Sequence, residues 1–426
     1  MFSERADPAV TGSPAERITH SGAAALRVEA FTDPRSLAAL GPAWNRLLEE
    51  SGADHPFLTH QWMCAWWDAF GSGHHPFVLL VTRGSRPVAI APLMLGRSEL
   101  FGLRLRRLGL IANEHTPRCD LIVARGEEEA YDAVWGYLAE HRDRWDVLEL
   151  NQVPSCSPTL GRMADRARAD RFLVGLSPSH DSPYVPLDGG WDRVRMGLRR
   201  NLRSGMPYRL RRLGRRGQVR LEIVRTIDDS PGALEDGLRI EAAAWKSRSG
   251  TAILSEPDVE RFYSALARAA GAAGQLRLIF LTLDDRRIAF AYGLCYRRKL
   301  HVIKLGYEPE YASCSPYNLL CYLLMQEACR QGLEQYEFLG AADPWKLNWS
   351  RLTKGHAWLY AFRPSLRARL LHGLMFTLLP ALRGSRALRR LRDRLPPIRL
   401  RRRQRRSGGA DPGERSRAKT DPGAAP

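Results

Sequence analysis

Several common catalytic and structural devices are missing from this sequence. Its seven cysteines (Cys64, Cys119, Cys156, Cys295, Cys314, Cys321 and Cys329) show no C-x-x-C spacing and no Cys/His grouping suited to a metal. They read as reduced thiols, and no metal is expected. No apolar run approaches the ~18–20 residues that cross a bilayer. Residues 1–20 are polar, carry Glu4, Asp7 and Glu16, and do not read as a signal peptide. The expectation is a cytoplasmic protein. No Gly-rich phosphate loop is present. Ser315 and Cys314 have no visible His/Asp partners in sequence, which disfavours a covalent mechanism.

Acids are also scarce: 46 Asp and Glu against 65 Lys and Arg give a net charge of +19. The excess lies in two segments. Arg193 to Arg220 holds 11 arginines and no acid, and Ala361 to Arg406 holds 15 arginines and one acid, Asp393. Such segments suit phosphates, anionic lipid or nucleic acid, or they decorate solvated faces. Tyr208 is the one aromatic interleaved in the first segment, which disfavours nucleic acid as a partner.

With 426 residues, the chain suggests two domains. From Leu26 the pattern runs strand, helix, and a second helix over Thr59 to Phe70 whose Trp62, Trp66, Trp67 and Phe70 read as core. A hairpin follows, Phe77–Thr82 with Val88–Leu95, then strands and helices to Leu176. The order recurs after Leu221. Gln275–Leu283, Ile288–Tyr296 and Leu300–Tyr307 read as an antiparallel meander, Tyr317–Arg330 as a buried helix and Tyr336–Leu339 as a final strand. Ser315 and Pro316 are good residues for the start of that helix. On the middle strand Ile288, Phe290, Tyr292, Leu294 and Tyr296 share one face. Ala289, Ala291, Gly293 and Cys295 form a small-residue face that a backbone or ligand can approach. Pro207 is expected to split the basic segment into two helices, and Ser255 with Asp258 resembles a capping box.

The segments Glu241-Ala-Ala-Ala-Trp245-Lys246, Lys304-Leu-Gly-Tyr-Glu-Pro-Glu-Tyr311, Ser315-Pro316 and Phe338-Leu-Gly340, with Pro344-Trp-Lys346 and Trp349, resemble the CelD-like GNAT-type acyltransferases, relatives of the FemAB aminoacyltransferases. Pro56-Phe-Leu-Thr59, Trp66-Trp67 and Ala89-Ile-Ala-Pro-Leu93 fit the same group, so the likeness runs from about Leu26 to Phe362. It implies an α/β (α+β) fold of two tandem GNAT-like units, with mixed, mostly antiparallel sheets flanked by helices, plus a basic helical tail. The expected division is a disordered leader at 1–25, an N-terminal unit at 26–180, an acyltransferase unit at 181–362, a basic amphipathic tail at 363–400 and a disordered end at 401–426.

The resemblance also implies chemistry. The strand ending at Tyr307 and the strand Tyr336–Leu339 would part, with an acyl-CoA thioester between them as co-substrate and no permanently bound cofactor. The pyrophosphate would meet Ser313, Cys314, Ser315, Tyr317 and Asn318. The usual Arg/Gln-x-x-Gly-x-Gly/Ala pattern is absent there, which leaves acetyl-CoA, longer acyl-CoA, acyl carrier protein and aminoacyl-tRNA open as donors. Glu241 is the first choice of base, or a structural ion-pair partner, with Asp343 as runner-up. Lys304, mid-strand between Val302 and Gly306, is an odd charge there unless it meets a phosphate or carboxylate, and Tyr307 is assigned as general acid. Trp245, Lys246, Lys346 and Trp349 are assigned to the acceptor. That acceptor is an amine or hydroxyl, expected in cell-envelope or exopolysaccharide (cellulose) synthesis. Peripheral attachment at the inner membrane face suits the tail. A non-catalytic module that grips anionic ligands is the competing reading. His115, His301 and His356 are isolated in sequence and read as surface or packed histidines.

Overall fold

The computed structural model describes residues 25–243 and 253–384. The chain divides between Thr377 and Leu378 into two units. The leader up to residue 24 and the tail from 385 lie outside the described residues.

The first unit contains three sheets. A four-stranded sheet begins with Leu26–Phe31, which pairs antiparallel with Val78–Arg83, and the hairpin to Arg86–Ala91 forms as its turn residues require. A six-stranded sheet includes Leu93–Leu100, Leu103–Leu110 and Val147–Pro154. The last two run parallel over three residue pairs, from Arg107↔Val147 to Gly109↔Glu149. A seven-stranded sheet holds the meander Leu276–Leu283, Arg286–Tyr296 and Lys299–Tyr307, followed by helix Pro316–Arg330 and the strand Gln335–Glu337. Here too a meander, a helix and a parallel strand follow in turn. The repeat of element order is therefore real at the level of topology.

The two halves are interlocked by strand exchange. His356–Phe362 lies in the six-stranded sheet between Val147–Pro154 and Leu173–Pro178. Within the seven-stranded sheet, Ser182–Pro186 pairs with Gln335–Glu337 and with Thr353–Lys354. The aromatic helix His60–Phe70 is capped by the Thr59 hydroxyl. It packs on helix Pro257–Ala272, with Trp62 edge-on to Phe262 at 5.1 Å. Trp44, Trp62 and Trp66 share one core with Phe262, Tyr263 and Phe290, so the expected tryptophan core joins both halves.

Local departures have physical reasons. The small face of Arg286–Tyr296 is covered by helix Pro316–Arg330: Ala289 and Ala291 sit in one cluster with Leu320 and Leu324. Ile288 joins that side because it is the extra residue of a bulge opposite Leu281/Thr282. The basic segment makes two helices, Gly190–Gly197 and Arg200–Gly214, but the break falls at Leu198–Arg199. Pro207 sits inside the second helix, where burial of Leu202, Met206 and Leu213 holds the turn that its missing N–H weakens. Helix Pro257–Ala272 starts after Glu256, so Ser255 does not cap it.

Gly306 fixes how helix Ala233–Ala243 crosses the meander. A Cβ there would stand 2.4 Å from Glu241 Cα and 2.7 Å from the Ile240 carbonyl oxygen, both backbone atoms. At Gly293 an added Cβ would meet only Ile279 and Leu300 methyls at 3.3 Å and the His301 carbonyl at 3.4 Å. Gly306→Ala is therefore expected to cost ~3 kcal/mol or more in urea unfolding, whereas Gly293→Ala stays within about 1 kcal/mol. Equal midpoints for the two variants would contradict this crossing.

Candidate functional site

The site is built on a strand pair that opens. Lys299–His301 and Gln335–Glu337 run side by side for three residues. Beyond them the second strand follows its other neighbour, with the Phe338 N–H donating to the Pro183 carbonyl at 3.1 Å. Among the described residues, the edge of Val302–Tyr307 facing it is left without a parallel partner. Leu339 and Gly340 then turn the chain in the left-handed region, at φ 57° and 60°. A leucine there is strained. The Lys346 ammonium holds the turn by donating to the Leu339 carbonyl at 2.9 Å and the Ala341 carbonyl at 2.8 Å, and it pairs with Asp343 at 3.0 Å.

A bulge sets the facing of Lys304. Tyr292 pairs with Lys304 and Gly293 with Val302, so Ile303 is the extra residue. Lys304 and Gly306 therefore share the face covered by helix Ala233–Ala243. The Lys304 ammonium lies 5.3 Å from the Tyr263 ring centre and 3.5 Å from His115 Nδ1. His115 arrives from the N-terminal half and stacks on Phe70 at 5.7 Å. Burial, then the neighbouring Lys304 charge, pushes its pKa down to about 4, so the imidazole is neutral at pH 7. Glu241 is on the same side, fully buried, and its carboxylate accepts the Ile253 N–H at 3.0 Å. Burial, then Tyr292 and Glu241, pushes the Tyr263 phenol well above its usual range.

The structure thus gathers Glu241, Lys304, Tyr263 and His115 on one face of the strand. Tyr307 is on the other face, against the cluster built around helix Pro316–Arg330. Asp343 and Lys346 belong to the turn at the mouth. Lys346 is nearly buried, and its bonds tie the turn together. Trp349 is 2% exposed and packs near Phe338, in the core. Trp245 and Lys246 lie outside the described residues.

The expected donor loop also divides by facing. Ser313 is exposed, while Ser315 and Asn318 are half-buried. Cys314 and Tyr317 point inward, Tyr317 edge-on to Trp345 at 5.3 Å. Ser315 occupies the N-cap position at φ 53° without a side-chain cap, because left-handed backbone aims its hydroxyl away from the first turn. The Leu319 N–H reaches the Ser315 carbonyl, and the N–H groups of Tyr317 and Asn318 head the helix with no carbonyl one turn earlier inside it.

A buried polar network at the vertex of the opened pair has no signal in the sequence, because its members come from separate segments. Glu337 is fully buried, and the strand pairing sets it opposite His301. It accepts from Arg118 at 3.4 Å and from Lys354 at 2.5 Å. Arg118 also donates to His356 Nε2 at 3.1 Å. Burial raises the Asp54 pKa, but the Lys299 hydrogen bond and the charges of Lys354 and His55 hold it well below the usual carboxylate range. His356 is pushed down to about 4 by burial and Arg118. Neither ring nitrogen of His301 has a hydrogen-bond partner among the described residues. His115 was equally invisible: only the fold brings it to Lys304.

Comparison with known proteins bears on the fold. Residues 200–347 are similar to the family described as acetyltransferase (GNAT) domain. FemX is similar in structure at 12% identity, with 79% of this chain and 98% of that chain covered and a TM-score of 0.54. The C-terminal domain of a protein described as a lysylphosphatidylglycerol synthetase from Agrobacterium fabrum is similar at 13% identity, covering 79% and 95%, with a TM-score of 0.50. No curated protein matches the chain. The fold is that of two tandem GNAT-like units with mixed sheets flanked by helices.

Two measurements test the site. His115 and His356 have folded pKa values near 4 against 6.5 in the unfolded chain, so the unfolded chain binds more protons between those values. The stability they confer is complete above pH 6.5 and falls as pH drops towards 4. Urea midpoints should decline across that window, and His115→Asn should reduce the slope by about 1.4 kcal/mol per pH unit. Lys346→Met should cost ~2–4 kcal/mol, because the buried Leu339 carbonyl and the part-buried Ala341 carbonyl lose their donor. An unchanged midpoint would remove Lys346 from its role in the turn.

Proposed function

We propose that this protein is a GNAT-type acyltransferase that moves an acyl group, acetyl first, from a CoA thioester directly to an amine or hydroxyl. The observation that carries the reading is the strand pair that parts after His301/Glu337, with a helix start at Pro316 beside it. An acyl thioester fits between such strands, and its phosphates fit the Tyr317 and Asn318 N–H groups with Ser313 and Ser315 beside them. The two faces of Lys299–Tyr307 then serve different substrates. Glu241 and Lys304 belong to the acceptor face, and Tyr307 and the helix start belong to the donor face.

In this reading the acceptor attacks the thioester carbonyl carbon. Glu241 or the neutral His115 takes the acceptor's proton, and the Lys304 ammonium steadies the oxyanion. The intermediate collapses with cleavage of the carbon–sulfur bond, and Tyr307 returns a proton to the departing thiolate. Asp343 and Lys346 shape the mouth, with Trp349 behind them. The N-terminal unit, 26–180, forms the acceptor side. CelD-like chemistry on a cell-envelope polysaccharide or its precursor is the specific assignment we favour.

A second reading keeps the acceptor face and changes the donor to an aminoacyl-tRNA, as in the FemAB group. It is favoured by Ser315-Pro316 standing where a Gly-rich anion loop is usual, and by the arginines of helix Arg200–Gly214 beside the loop Pro309–Cys314.

Thermal unfolding with acetyl-CoA, longer acyl-CoAs and free CoA distinguishes them. A ligand at ~100 times its dissociation constant adds about 2.7 kcal/mol. A shift with one thioester, together with turnover that falls ~100-fold or more in Lys304→Met, is the expected outcome. No shift with any thioester but retention of aminoacyl-tRNA on filters would select the second reading. Full turnover in Glu241→Gln/Lys304→Met would overturn the assignment of the site.

A further inference from the structure

A second surface lies on the outer face of the six-stranded sheet. Helix Leu366–Gly373 starts with the Ala368 N–H bonded to the Ser365 hydroxyl at 3.1 Å. Its inner side is docked: Ala368 and Leu371 are buried with Val147, Tyr360 and Phe362. His372 Nε2 also sits 3.0 Å from the Val174 carbonyl. Its outer side does the reverse of what a water-facing helix does. Leu366 and Leu370, one turn apart, are 79% and 72% exposed, and the exposed Arg367 and Arg369 stand between and beside them. Leu100 and Leu105 pack against the same cluster, and beyond them Leu103 and the hairpin-tip Phe101 are 37% and 55% exposed.

Charge decides what would cover this face. Within the first unit, residues 363–377 hold three arginines, Arg363, Arg367 and Arg369, and neither Asp nor Glu. Two bare leucines on a rigid helix, set in an acid-free basic stretch, combine the two attractions of interfacial membrane binding: apolar insertion and pairing with anionic headgroups. RNA would use the arginines and leave the leucines in water. No helix among the described residues is long and apolar enough to cross a membrane, so the contact would be along the surface.

We infer that this face docks on an anionic lipid surface, with Leu366 and Leu370 entering the boundary between headgroups and acyl chains and Arg367 and Arg369 meeting lipid phosphates. The inference is independent of the acyl donor and of the catalytic assignment.

The test is sedimentation of the full chain with vesicles of phosphatidylcholine alone and of phosphatidylcholine mixed with phosphatidylglycerol. It is run for the wild type and for Leu366→Ser/Leu370→Ser. Both leucines are exposed, so the variant should unfold at the wild-type temperature. The expected result is binding to phosphatidylglycerol vesicles only, weakened about tenfold or more in the variant. Equal binding by both proteins would assign the contact to arginine charge alone and overturn the inference. So would an absence of vesicle binding, or a dimer that the variant abolishes, which would give the face to a second copy of the chain.

Discussion

Glu337 has no exposed surface, and the geometry of the opened strands depends on how its charge is met. A carboxylate in a closed interior is tolerated only with close cations, and removing one partner of such a pair costs ~3–5 kcal/mol. Arg118 comes from the N-terminal half, Lys354 from the segment after the mouth, and both reach the same carboxylate. The pairing therefore fixes the register of the two halves at the point where strand 335–337 leaves strand 299–307. The exchanged strand His356–Phe362 and the strand Ser182–Pro186, paired with Gln335–Glu337, flank the same joint. The vertex is rigid, so the opening beyond it is set by construction.

One extra residue in one strand then separates two environments. Without the bulge at Ile303, the alternation of the strand would place Lys304 behind it, with Val302 and the helix Pro316–Arg330. With it, Lys304 and Gly306 share the face toward Glu241, His115 and Tyr263, while Leu305 and Tyr307 stay on the other. Gly306 allows helix Ala233–Ala243 to lie against the strand backbone, which is how a fully buried Glu241 comes to this face. Strain gathers at the mouth, where Leu339 is left-handed and Lys346 is spent on holding the turn. Sorted faces and a clamped turn are the preorganisation that the proposed acyl transfer would use.

Much of the fold was legible along the chain because its signals are local. The meander from Gln275 to Tyr307 reads from apolar runs and charged turns, and it forms within a few residues of the expected bounds. The aromatic helix and the hairpin around Arg83 and Arg86 are equally local. Local rules failed where packing outweighed them. Pro207 stays helical because three apolar neighbours are buried, and Ser315 adopts left-handed backbone and leaves the cap unused.

By itself the sequence determined most element types and their order, since periodicity and turn signals are local, and a family resemblance singled out Glu241 and Lys304 as candidates. Tertiary structure decided the rest. It paired Lys304 with His115, which stand 189 positions apart, and it assembled Arg118, Glu337 and His356 into one buried network. It also separated Tyr307 from Glu241 and turned Trp349 and Lys346 into core and turn. The physical reason is that a residue's chemistry depends on burial, facing and neighbouring charge, and these are fixed by bulges, crossings and strand exchange between distant segments.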